Sequence, residues 1–179
     1  MSDVGFIWTE NLIFFAIATS FLAFLTWVWR HTKPFEIPLP LPTWLKVWFF
    51  TVQVFGVLVP IGISVWAGFS SADAPVLPIL LSYLLMLGLQ IVTEIVLLRQ
   101  FRTVAWIAIP YLYLPYRVWQ LYQGIGATSI EDLGWFRNLL LLEIGIWIVN
   151  YSFNLIQLPR LLRWDQEGRV EERELASTR

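Results

Sequence analysis

The chain has 179 residues and a formal charge of −1, with 58% hydrophobic and only 14% charged residues, 11 Trp, one His and no Cys. Soluble domains typically carry about 25% charge, so a compact soluble fold of this length would lack polar surface; an ordinary cytosolic domain, a disordered chain and a nucleic-acid binder are excluded. The absence of Cys removes disulfides, thiolate zinc sites, iron–sulfur clusters and cysteine nucleophiles, the single His removes multi-His metal centres, and no cofactor is implied.

What remains is an all-α integral membrane protein. A spanning helix needs about 20 mainly apolar residues, and five stretches qualify. The first, 11–29, follows an amino terminus without the positive flank of a signal peptide, and no small-residue cleavage site comes after it, so it is expected to be retained. Pro34, Pro38, Pro40 and Pro42 then predict a stiff, extended connection. His31 lies there beside Arg30 and Lys33 and reads as solvated. The second stretch, 46–69, ends in a tight turn of Ser70, Ser71, Asp73 and Pro75, and the third is 76–98. The fourth, 104–122, is disturbed by Pro110, Pro115 and Arg117. Gly124, Gly126, Ser129 and Gly134 are expected to loosen the connection to the fifth, 138–158. Residues 1–158 thus read as a single five-helix transmembrane domain and 159–179 as a charged cytoplasmic tail. In the tail, Asp165 and Arg169 stand at helical spacing on a solvated segment, and Arg160, Arg163 and Trp164 are placed to anchor it on an anionic leaflet. No internal repeat of fixed period is present.

Positive charge predicts the orientation. With five spans and Arg117 set aside, ten Lys and Arg fall on one side and only Arg137 on the other, the bias of N-out, C-in insertion. Treating 104–122 as re-entrant would put the Arg-rich tail outside, against the same rule. A bacterial inner membrane and an organellar membrane suit the chain equally. Ten of the 11 Trp stand near predicted helix ends, as an aromatic belt requires; Trp147 alone lies mid-membrane.

Ionisable groups in a bilayer cost about 2.5–3.5 kcal/mol each on insertion scales, so Glu94, Arg117 and Glu143 each need a partner or a task. Helical spacing groups the polar residues into stripes: Glu143, Trp147, Asn150, Asn154 and Gln157 on the fifth helix; Trp106, Pro110, Tyr113, Arg117 and Gln120 on the fourth; Tyr83, Gln90 and Glu94 on the third; Gln53, Gly56, Pro60 and Ser64 on the second. Lipid cannot hydrogen bond, so the stripes should face one another. Depth along the helices predicts an outer layer in which Arg117 pairs with Glu143, and an inner layer of Gln53, Gln90, Glu94, Asn154 and Asn150. Either these groups hold helices together, or they line a pocket for an amphiphile. The second reading makes Gln53, Gln90, Glu94, Tyr113, Arg117, Glu143, Asn150 and Asn154 the binding residues, with membrane lipids and an apolar small molecule as partners. The alternative is a structural or assembly subunit docked against a larger membrane protein. An enzyme is the third reading, and Glu94 and Glu143, about 15 Å apart in depth by helical rise, make a poor acid–base pair.

The segment Pro42-Thr-Trp-Leu-Lys-Val-Trp-Phe-Phe-Thr-Val-Gln-Val-Phe55 resembles the start of the second helix in the emopamil-binding (EXPERA) superfamily. Pro110-Tyr-Leu-Tyr-Leu-Pro-Tyr116 is similar to the Pro-Tyr-Leu-x-x-Pro segment of its sigma-2 receptor branch, in the same order along the chain. The resemblance spans residues 10–122 and implies a lipid-like or sterol-like ligand. The chain departs from the family at its binding acids, for which Glu36 is the nearest candidate and Val52 and Gln53 stand at the helix-2 position. It also has no intramembrane His for isomerase chemistry, and no catalytic residue is carried over.

Overall fold

The computed structural model describes residues 2–32, 34–35, 43–69, 76–127 and 134–162. Lys33, Glu36, Pro38, Pro40, Pro42, the turn from Ser70 to Pro75, Ser129, the side chain of Arg160 and the tail from Arg163 onward, with Trp164, Asp165 and Arg169, lie outside the described residues. The described residues form helices and no strand. There are five long helices: α1 (Ser2–Val28), α2 (Thr43–Phe69), α3 (Val76–Phe101), α4 (Ile109–Gly126) and α5 (Gly134–Leu161). Four segments, Gly5–Val28, Thr43–Phe69, Val76–Phe101 and Gly134–Pro159, are long and apolar enough to cross a membrane. The protein is therefore an all-α protein with the helices of an integral membrane bundle.

The helix ends differ from expectation for local reasons. α1 begins ahead of residue 11 because the polar side chains of its first turns find partners on α4. Asn11, fully buried, accepts hydrogen bonds at Oδ1 from the Tyr116 hydroxyl (2.8 Å) and from Gln120 Nε2 (3.0 Å). Glu10 accepts from Trp119 Nε1 (3.0 Å) and Gln123 Nε2 (2.7 Å). Replacing Asn11 by Leu takes the acceptor from the half-buried Tyr116 hydroxyl and leaves Gln120 Nε2 with Ser82 Oγ alone, at 3.3 Å, and an orphaned buried group costs about 1–3 kcal/mol. Asn11→Leu should lower the thermal midpoint and speed amide exchange in α1 more than in α5; uniform exchange along the chain would contradict this anchoring.

The fourth stretch starts not as an α-helix at Val104 but as a 3-10 turn, Val104–Ala108. Thr103 caps this turn, its Oγ1 accepting from Ala105 N at 3.3 Å. The α-helix opens at Ile109, which puts Pro110 in the first turn, where its missing N–H is not needed, while Pro115 lies inside the helix. At its far end, Gly124 and Gly126 do not loosen a connection: they belong to α4, and Gly134 opens α5. Gly124 is a crossing point, since a Cβ there would lie 2.9 Å from Ile79 Cγ2 and 3.4 Å from Leu140 Cδ1. Only hydrogen fits where α3, α4 and α5 converge.

α2, α3, α4 and α5 close a ring with α1 outside it, against α3, α4 and the 3-10 turn; α4 and α5 share the most extensive contact. α2 packs on α3 chiefly through Val59–Phe69, and its middle leans on α5. The main core joins Ile79, Leu80 and Leu87 of α3 to Leu114 and Leu121 of α4 and Phe136, Leu140 and Trp147 of α5. A second core seats Ala18 and Leu22 of α1 on Met86, Ile109 and Tyr113. Trp27, Trp29, Trp44, Trp66, Trp119 and Trp135 are exposed, as belt residues are. Trp48 departs from that role: it is half-buried, and its Nε1 donates to Asn150 Oδ1 at 3.1 Å.

Candidate functional site

The site starts from a proline. Pro60 has no N–H to offer the carbonyl four residues earlier, Gly56, and its ring would crowd that carbonyl in a regular helix. α2 answers by widening into a π-helix over Val54–Leu58, a distortion common at functional positions. The freed Gly56 carbonyl accepts the Tyr83 hydroxyl proton from α3. Trp147 Nε1 of α5 donates to the same hydroxyl oxygen at 3.0 Å. A tyrosine carries one hydroxyl proton, already given to Gly56, so Glu143 Oε2 at 3.5 Å is a secondary contact. Gly56 allows this convergence because a Cβ would lie 2.9 Å from Trp147 Cζ2.

Arg117 is 1% exposed and stacks on the Trp147 ring, its Cζ 4.1 Å from the centroid. Nη2 donates to Gln90 Oε1, and Gln90 Nε2 donates to Glu94 Oε1 at 2.7 Å. Arg is donor-only, which settles the orientation of the Gln90 amide. The expected Arg117–Glu143 hydrogen-bonded pair is not formed: Nε and Nη1 of Arg117 and Oε1 of Glu143 have no hydrogen-bond partner. The two residues are at matching positions on neighbouring helices, but Trp147, one turn along α5 from Glu143, takes the space facing Arg117. The guanidinium stacks on the indole and reaches α3 instead. The two expected polar layers are thereby joined through Gln90.

Below this centre, toward the end of the bundle where α1 finishes and α4 begins, the helices enclose a cavity of about 210 Å³. Its polar wall is Gln53, Gln90, Glu94, Arg117, Asn150 and Asn154, six of the eight residues singled out from the stripes. Phe49, Val52, Val57, Leu87, Ile91 and Leu114 supply the apolar wall, with Trp106, Pro110 and Trp147 between. The other two residues lie elsewhere. Tyr113 turns toward α1, edge-on to Phe14 with centroids 5.3 Å apart, and Glu143 lies buried beside the Tyr83 hydroxyl, outside the cavity lining. Trp106, Pro110, Trp147 and Tyr83 were on the same stripes but were not singled out as site residues; membership of a stripe was the signal that could have found them. Gln53, alone of its stripe, is exposed, and so are Phe49 and Ile91. All three stand on α2 and α3, so the cavity opens sideways between these helices.

Asn150 and Asn154 are tied into the wall. Trp48 is donor-only, so it fixes Asn150 Oδ1 toward itself, and Asn154 Nδ2 donates to the Asn150 carbonyl at 2.8 Å. The Tyr111 hydroxyl donates to the Asn154 carbonyl at 2.7 Å, adding a brace from α4. Among the described residues no group of three or more His, Cys, Asp or Glu side chains is placed to hold a metal ion. His31 is exposed, with Arg30 Nε donating to its Nε2 at 3.0 Å. No family model matches the chain, and neither does any curated protein or solved structure.

Proposed function

We propose that this chain is a five-span membrane protein, inserted N-out and C-in, that binds the polar end of a lipid-like or sterol-like small molecule between α2 and α5. The observation that carries this reading is a cavity whose polar wall is buried or half-buried except for Gln53 at its mouth, with apolar flanks and a side opening between α2 and α3, the composition of a small-molecule site. An opening framed by Phe49, Gln53 and Ile91 on two membrane helices suits a molecule that arrives through the bilayer. α4 completes the five spans: it is flanked by α3 and α5, and its Arg117 Nη2 and Gln120 Nε2 donate to neighbouring helices instead of facing lipid. Arg30, Lys46, Arg99 and Arg102 stand at the end of the bundle where α1 finishes, and Arg137 at the other, which supports the orientation. The resemblance to the emopamil-binding superfamily leans toward the same class of occupant.

The test is mass spectrometry of small molecules retained by the protein after purification in a mild non-ionic detergent. Close to one amphiphile per chain, enriched over its share of the source membrane, is expected. Recovery of bulk lipid alone, in membrane proportions, would sink the reading, and stable co-purification with a larger complex would favour a subunit role.

A further inference from the structure

We propose, building on the pocket reading, that the occupant is a single-chain amphiphile with a compact anionic head, a carboxylate or a phosphate monoester, seated against Arg117 with its tail leaving between α2 and α3.

The buried polar atoms of the lining that lack a partner are all donors: Arg117 Nε and Nη1 and Trp106 Nε1. Arg117 lines the cavity, is 1% exposed, and leaves Nε and Nη1 without a partner. Its third nitrogen holds Gln90 Oε1, which uses the Gln90 acceptor, and Gln90 Nε2 in turn occupies Glu94 Oε1. Asn150 has its oxygen taken by Trp48, so the amide group it offers the cavity is its nitrogen. A buried donor left unmade is costly, and bonds from a guanidinium to an ionised acceptor are about twice as strong as neutral ones. A head that only accepts therefore matches these donors better than an alcohol, and better than an amine, which would set cation against cation at Arg117; Glu94, the one acid in the lining, is held by Gln90 at Oε1. Glu143 does not fill the role: it makes no hydrogen bond to Arg117 and lies outside the cavity lining.

Size and exit set the rest. A cavity of about 210 Å³ is below the roughly 300–1,000 Å³ of sites that enclose a drug-sized ligand. It seats a head group and the first carbons of a chain, not a whole sterol. The remaining chain leaves past Phe49 of α2 and Ile91 of α3, both exposed.

The test measures thermal unfolding of the intact protein in dodecyl maltoside by Trp fluorescence, titrated with palmitate, hexadecyl phosphate, 1-hexadecanol and hexadecylamine. Saturable stabilisation by palmitate or hexadecyl phosphate, at least tenfold tighter than by the alcohol and absent with the amine, is expected, and the two anions tell carboxylate from phosphate. In Ile91→Trp, which narrows the mouth at an exposed position without touching Arg117, binding should fall tenfold or more with the unliganded midpoint unchanged. Equal binding of acid and alcohol, lost in Ile91→Trp, would overturn the anionic head and leave the pocket standing. Tighter binding of the amine would do the same. Indifference to all four probes would overturn both. Arg117→Gln, where it folds, should abolish the preference for anions; a preference that survives it refutes the assignment.

Discussion

Arg117→Met should be the most damaging single substitution in the protein, lowering stability by about 3–5 kcal/mol, the range for breaking a buried charged contact from one side. Arg117 is the only cation buried among the described residues, while Glu143 is fully buried and Glu94 half-buried. Methionine keeps most of the volume, so the loss is electrostatic and polar: Gln90 Oε1 loses its donor, Trp147 loses the cation on its ring, and both carboxylates lose the nearest positive charge. The effect should be strongly non-additive. Glu143→Gln in the Arg117→Met background should cost less than in the wild type, because the carboxylate it removes no longer has a cation to answer. Coupling of this kind runs to about 0.5–3 kcal/mol for residues in one network. Equilibrium unfolding of the four proteins in one detergent measures it, and strict additivity would mean that Arg117 and Glu143 act independently.

Gly56→Ala should also destabilise, although alanine is the better helix former by about 0.5–1 kcal/mol. The added Cβ meets Trp147 Cζ2 at 2.9 Å, and overpacking a filled interior costs about 1–3 kcal/mol. The sign depends on whether the indole can retreat. It is held at Nε1 by the Tyr83 hydroxyl and on its face by Arg117, so the clash outweighs the propensity gain. Gly56→Ala placed in a Trp147→Phe background should recover much of the loss, since the smaller ring vacates the contact. If Gly56→Ala proves neutral or stabilising in the wild type, the convergence of α2 and α5 at this point is looser than described.

Much of the site was legible because helical periodicity is a strict geometric filter. Tyr83, Gln90 and Glu94 share a face whatever α3 packs against, and the cost of polar groups in hydrocarbon turns that face inward. Periodicity assigns faces, however, and does not choose partners on them. Arg117 and Glu143 were paired on depth alone, and depth carries no knowledge that the guanidinium stacks on Trp147. Tyr113 shows the same gap from another side: it shares a stripe with Arg117, yet α4 has neighbours on two flanks, and Tyr113 meets α1 where Arg117 meets α3. Gln53 shares a stripe with Gly56 and Pro60 but stands at the cavity mouth, since α2 contacts α3 mainly beyond the π-segment.

Composition and apolar run length alone determined that this is a membrane helix bundle, because a chain with 14% charge cannot cover a soluble fold and backbone groups in lipid must be satisfied within helices. The tertiary structure alone decided what used the freed carbonyl, where α4 begins as an α-helix, and that Arg117 reaches Gln90 and leaves two nitrogens without a partner. Those outcomes depend on which side chain fills a given space first, and such competition between neighbours is set by packing in three dimensions, on which spacing along a chain is silent.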